Sequence, residues 1–98
     1  MPAYFLFDVK EITDPVKMEQ YRSRVFDVVK RFGGQYRTVG GTVSPLEGQW
    51  RPRFPVIIEF PSAERARAWY DSDEYRPLKE LRLAATRGDC VLVDAAPR

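Results

Sequence analysis

Two stretches of this chain, AYFLFDV (Ala3–Val9) and FPVIIEF (Phe54–Phe60), are apolar at both alternating sets of positions. Successive side chains of a strand point to opposite faces, so each stretch presents apolar groups to both sides of its sheet. Both sides therefore need cover. The chain has 98 residues, one domain's worth, and residues 1–98 are read as a single domain. Two layers of structure cover one face of a sheet and leave the other wet. The simplest cover for the second face is the same face of another copy. A homodimer packed sheet against sheet is the expectation.

The rest of the chain supplies helices and turns around these strands. In TDP, Asp14 suits an N-cap and Pro15 the first helical position. Met18, Tyr21, Val25, Val28 and Phe32 then recur at three- and four-residue spacing, and Gly33–Gly34 end the helix. Gln35 to about Val39 reads as a strand, bent or bulged at Gly40–Gly41. TVSPLEGQWRPR reads as a short extended piece and a loop. After the strand ending at Phe60, Ser62 caps a second helix with Ala66, Trp69 and Tyr70 inward. Pro77 is tolerable only in a first turn, so this helix breaks near 72–76. Tyr75, Leu78, Leu81 and Ala85 carry the stripe on, Gly88 is read as its stop, and CVLVDA is the last strand. The order βαββαβ is the ferredoxin-like split βαβ plan, an α+β fold with an antiparallel sheet. Its first and third strands are central, which agrees with their apolar character.

Composition excludes more than it selects. The chain contains no histidine, so Ser-His-Asp and Cys-His nucleophilic catalysis and imidazole-ligated haem or metal are closed to it. With Cys90 alone, a cysteine-rich zinc site and an internal disulfide are also closed, and Cys90 reads as a small buried hydrophobe. No cofactor and no metal are expected. Acid–base chemistry would fall to Glu, Asp, Tyr, Lys, water or the substrate. A net charge of +2 with scattered basic residues gives no basic stripe for nucleic acid. No apolar stretch approaches the roughly twenty residues of a membrane span, and the N-terminus lacks a basic region before its apolar run. A cytoplasmic protein is the simplest reading.

One carboxylate interrupts the central strand. Glu59 lies between Ile58 and Phe60, on the face shared by Pro55 and Ile57. A buried, unpaired carboxylate costs several kcal/mol or shifts upward in pKa. Glu59 should pair with arginine, accept hydrogen bonds or line a wet pocket. Arg37, on the neighbouring strand, is the natural partner, and Arg53 competes from the start of the same strand. The loop LEGQWRPR offers Glu47, Trp50 and Arg53 as binding groups, although Trp50 equally suits an interface. Tyr21 and Tyr75 have hydroxyls that need partners if buried and would donate to Glu59 or to a ligand. Arg82 either faces inward to an acid or lies on a solvated helix face.

IEFPS, AWYDSDEYRPL and LEGQWRPR together resemble a bacterial family, domain of unknown function thirteen-thirty, in the dimeric α+β barrel superfamily. The resemblance runs from Tyr4 to Asp94. It implies the fold and a homodimer, and no known reaction. The family often carries an arginine just before the second glycine pair. Here that position is Val39, with Arg37 two residues earlier and, by strand alternation, on the same face.

Two functions stand side by side. In one, a pocket takes a small organic molecule, with Glu59 as base and Arg37 or Arg53 stabilising negative charge without a cofactor. Superfamily members that are cofactor-free monooxygenases and lactone isomerases make that reading an analogy, and fold alone does not establish activity. In the other, the chain is a non-catalytic binding or interaction module and Glu59 is structural.

Overall fold

The computed structural model describes residues 1–96. The elements are β1 (Ala3–Ile12), α1 (Pro15–Arg31), β2 (Gln35–Val39), β3 (Pro55–Phe60), α2 (Ala63–Tyr70), α3 (Arg76–Ala85) and β4 (Thr86–Asp94). The strands form one antiparallel sheet in the order β2-β3-β1-β4, the ferredoxin-like plan. The two doubly apolar strands, β1 and β3, are its centre. The second helix is broken between Tyr70 and Arg76, ahead of Pro77.

Local chemistry sets the boundaries. Asp14 accepts a hydrogen bond from the Lys17 amide at 3.1 Å and caps α1, with Pro15 in the first turn. Ser62 accepts from the Arg65 amide at 3.1 Å and caps α2. Each supplies an acceptor to an amide that has no partner inside its helix. Beyond β2, Gly40 has a φ of +77°, and its amide donates to the Pro55 carbonyl at 2.7 Å. That conformation is open to glycine at little cost.

All three helices lie on one face of the sheet. Ala3, Phe5 and Phe7 of β1 and Ile58 and Phe60 of β3 point toward them and are buried. Trp69 is the hub of this core. Its ring sits 4.1 Å from Tyr75, 5.1 Å from Phe5 and 5.5 Å from Phe60, centroid to centroid. The molecule measures only 16 Å along its shortest axis, as two layers require. The opposite sheet face carries Tyr4, Leu6, Ile57, Glu59, Val91 and Val93, and Val91 keeps 54 % of its surface.

Three local readings need correction. Gly88 does not stop a helix. The helix ends at Ala85, and β4 begins at Thr86, four residues before Cys90. Gly88 lies opposite Val9 beside a register shift in β1, and a Cβ there would collide with the Asp8 carbonyl oxygen. The glycine serves a close approach of two strands. Residues 41–54 form no strand. Arg37 and Val39 are not on the same face, because the β2–β3 register shifts between Tyr36 and Thr38. A bulge breaks alternation. Gly88→Ala is expected to lower unfolding free energy by about 1–3 kcal/mol, the cost of forcing atoms into a packed site. Urea denaturation showing an unchanged midpoint would contradict this account.

Candidate functional site

The sheet divides the candidate residues between two environments. On the helix side, Tyr21 projects from the inner stripe of α1 and Tyr75 stands at the break before α3. Their hydroxyls lie 3.0 Å apart. Arg82, two turns along α3, donates from Nε to the Tyr75 hydroxyl at 3.3 Å. Its guanidinium carbon sits 5.1 Å from the Phe7 ring centroid. Arg82 is only 9 % exposed, so it neither lies on a solvated face nor meets an acid. Among the described residues it forms no ion pair, and its partner is a phenol.

Tyr21 and Arg82, but not Tyr75, border a cavity of about 90 Å³ between α1 and the sheet. Its walls are almost wholly apolar, with Phe7, Val25, Val56 and Ile58 among them. Tyr21, Tyr36, Arg82 and the exposed Arg22 also belong to its lining, with very little polar surface turned to it, and no acidic residue lines the cavity. Burial pushes the phenols of Tyr21, Tyr36 and Tyr75 above the ordinary tyrosine range. For Tyr75, the adjacent Arg82 opposes that shift. The phenols are therefore neutral hydrogen-bond donors at neutral pH. Burial likewise pushes the nearby Cys90 thiol up to about 11, which suits a packed thiol and not a nucleophile.

The open sheet face holds the other set. Arg37 Nε donates to Glu59 Oε1 at 3.0 Å, the pair expected from the sequence. Glu59 retains 27 % of its side-chain surface and Arg37 51 %. Such an accessible pair contributes about 0–1 kcal/mol, so it is not a major anchor of the fold. Arg53 does not reach Glu59. Its backbone amide, with that of Phe54, donates instead to Asp8 Oδ1 at 2.9 and 3.3 Å. Tyr21 and Tyr75 are across the sheet from Glu59 and meet each other. Glu47 and Trp50 are exposed, Trp50 at 70 %, in the loop before β3.

Two residues escaped the sequence reading. Asp8 is 7 % exposed, and its Oδ2 accepts no hydrogen bond among the described residues. Its position on the second apolar face of β1 was the available signal. Tyr36 packs its ring 4.7 Å from Phe26 and borders the cavity. Among the described residues, no group of three or more His, Cys, Asp or Glu is placed to hold a metal ion. No described helix is long and apolar enough to cross a membrane.

Comparison with known proteins adds family and fold. The sequence profile of Domain of unknown function (DUF1330) matches residues 2–96. No curated protein matches the chain. A crystal structure of a protein of unknown function from Rhodopseudomonas palustris superposes with a TM-score of 0.74 at 19 % identity, covering 99 % of this chain and 84 % of that one. SnoaB, a cofactor-independent oxygenase from Streptomyces nogalater, superposes with a TM-score of 0.60 at 16 % identity, covering 99 % and 93 %. Likeness at such identities concerns the fold.

The raised phenols make stability depend on pH. Folded pKa values above the unfolded value of 10.0 mean that the folded chain keeps protons the unfolded chain loses. Stability is then complete below pH 10 and falls as pH rises beyond it, by up to about 1.4 kcal/mol per pH unit for each phenol. Urea titrations from pH 9 to 11.5 measure this. Tyr21→Phe should make the alkaline fall shallower, and an equally steep fall in that variant would contradict the assignment.

Proposed function

This chain belongs to the Domain of unknown function (DUF1330) family, and we propose that it is a homodimeric small-molecule-binding protein whose guest sits between α1 and the sheet. The observation that carries this reading is an apolar-walled cavity whose lining also includes Tyr21, Tyr36 and Arg82. Binding sites commonly combine an apolar lining with a few convergent polar groups. Tyr75 accepts from Arg82 Nε and restrains its guanidinium.

The same groups suit chemistry without a cofactor. A fixed guanidinium and a phenol in an apolar enclosure stabilise negative charge developing on a guest's oxygen. The lack of histidine and the likeness to a cofactor-independent oxygenase support that direction. In this reading the Glu59–Arg37 pair is structural. A second reading retains Glu59 as a base, supported by its partly accessible carboxylate beside a cation.

Homodimerisation through the open face is part of the proposal. Leu6, Ile57, Val91 and Val93 form an apolar surface on the two central strands and β4. A second copy supplies the same surface in return, as a two-fold interface requires. Light scattering at micromolar concentration should report twice 11.4 kDa, and Ile57→Arg with Val91→Arg should give a folded monomer. A wild-type monomer would remove the dimer from the reading. For the site, a thermal-shift screen of small organic acids, phenols and neutral analogues should find compounds that raise Tm. The rise should survive Glu59→Gln and vanish in Val25→Phe, which fills the cavity. Loss in Glu59→Gln, with the dimer intact, would favour the second reading.

A further inference from the structure

We propose that a second site, separate from the helix-side cavity, takes the phosphate monoester group of a small molecule between Arg51 and Arg53. It stands whether or not that cavity has a guest.

The end of β1, the start of β4 and the end of the loop before β3 enclose an open groove of about 1040 Å³. Its walls are more polar than apolar, and its charged residues are Lys10, Glu11, Arg51, Arg53, Arg87 and Asp89. Four cations thus share the groove with two acids. Both acids are already paired. Lys10 Nζ meets Asp89 Oδ2 at 2.8 Å, and Arg87 Nη1 meets Glu11 Oε1 at 3.5 Å. Arg51 and Arg53 form no ion pair among the described residues. The surplus positive charge therefore sits on the loop side of the groove. A cleft with a surplus of one sign concentrates ions of the other.

The loop holds these two residues in place without neutralising them. Arg51 Nη1 donates to the Gly48 and Trp50 carbonyls at 3.0 and 3.1 Å, and both acceptors are uncharged. The Arg53 backbone amide is held by Asp8 Oδ1 at 2.9 Å, but Asp8 does not line the groove. Pro52 stands between the two arginines and fixes its own φ. Two residues apart, their Cα atoms are separated by at most about 7 Å. Like charges kept this close repel, and an anion placed between them removes that cost.

The spacing selects the anion. Two forks rooted so close together suit one compact group rather than two distant ones. A phosphate monoester carries about −1.5 to −2 charges on three oxygens at neutral pH. Guanidinium forks match such oxygens in pairs. A diester carries a single charge, and a dicarboxylate spreads its two over separate groups. The groove is far larger than a phosphate, so it also has room for the organic part of the ester, with exposed Ile12 as an apolar contact.

Isothermal titration at low ionic strength and pH 7.5 with methyl phosphate, dimethyl phosphate and succinate tests charge and spacing. Methyl phosphate is expected to bind, with the diester at least fivefold weaker and succinate at least threefold weaker. The double variant Arg51→Gln with Arg53→Gln should weaken methyl phosphate at least tenfold. Arg53→Gln alone should weaken it at least threefold, and it guards against a loop loosened by loss of the Arg51 contacts. Arg31→Gln, an exposed arginine outside the groove, and Val25→Phe, which fills the helix-side cavity, should leave the affinity within twofold. No binding of methyl phosphate, full affinity in either Arg53 variant, or an equal loss in Arg31→Gln would overturn the proposal and leave the helix-side reading standing. Diester binding as tight as monoester, or succinate as tight as methyl phosphate, would overturn the assignment to a phosphate monoester. Loss of methyl phosphate binding in Val25→Phe would overturn the separation of the two sites.

Discussion

Everything in this molecule hangs on β1 being satisfied along both edges and apolar on both faces. Its backbone pairs with β3 on one side and β4 on the other. Its odd-numbered side chains, Ala3, Phe5 and Phe7, enter the aromatic core. The even-numbered set, Tyr4, Leu6 and Asp8, faces the uncovered side. The chain has helices for one layer only, so the second face is left to another occupant or to water. The division into two environments, and the split of the candidate residues between them, follow from this one strand.

Asp8 shows how that strand also organises a loop. The stretch from Gly41 to Phe54 has no ladder of its own, and its last two amides are collected by Asp8 Oδ1. A carboxylate accepting two backbone N–H groups is a strong anchor for chain ends. The loop therefore arrives at β3 in a fixed position, with Phe54 set to border the cavity and Gly40 tucked against its ring. Through Asp8, an acid on the open face helps to build the wall of a cavity on the closed one.

The sequence made the fold legible because its signals were redundant. Asp14–Pro15, Ser62 and Pro77 mark helix starts, and the stripes beginning at Met18 and Tyr75 repeat at helical spacing. Where one residue carried the signal alone, local rules misled. Gly88 looks like a helix stop, but a contact with β1, distant in sequence, determines its role. Arg37 and Val39 look like same-face neighbours, but a register shift turns one to Glu59 and the other to the cavity. Neither long-range fact is written in the residues nearby. Arg82 differs, since its burial was readable. It follows Leu78 by four residues and precedes Ala85 by three, so it sits within the apolar stripe. Its charge argued for solvent while its phase argued for the core.

Glu59 and Arg82 are opposite answers to the same question of a charge in an apolar setting. Glu59 interrupts the most apolar strand, yet it keeps solvent and a cation at 3.0 Å. Its charge is compensated inside the chain, and little remains for a guest to supply. Arg82 occupies a helix rich in ordinary surface residues, yet it is turned inward against a phenol and an aromatic face. Among the described residues it forms no ion pair, and its one side-chain hydrogen bond goes to that phenol. A satisfied charge stabilises what is already there, whereas an unsatisfied one creates affinity for something else. The helix-side cavity, and not the conspicuous carboxylate of β3, is therefore the site on which the proposed function rests.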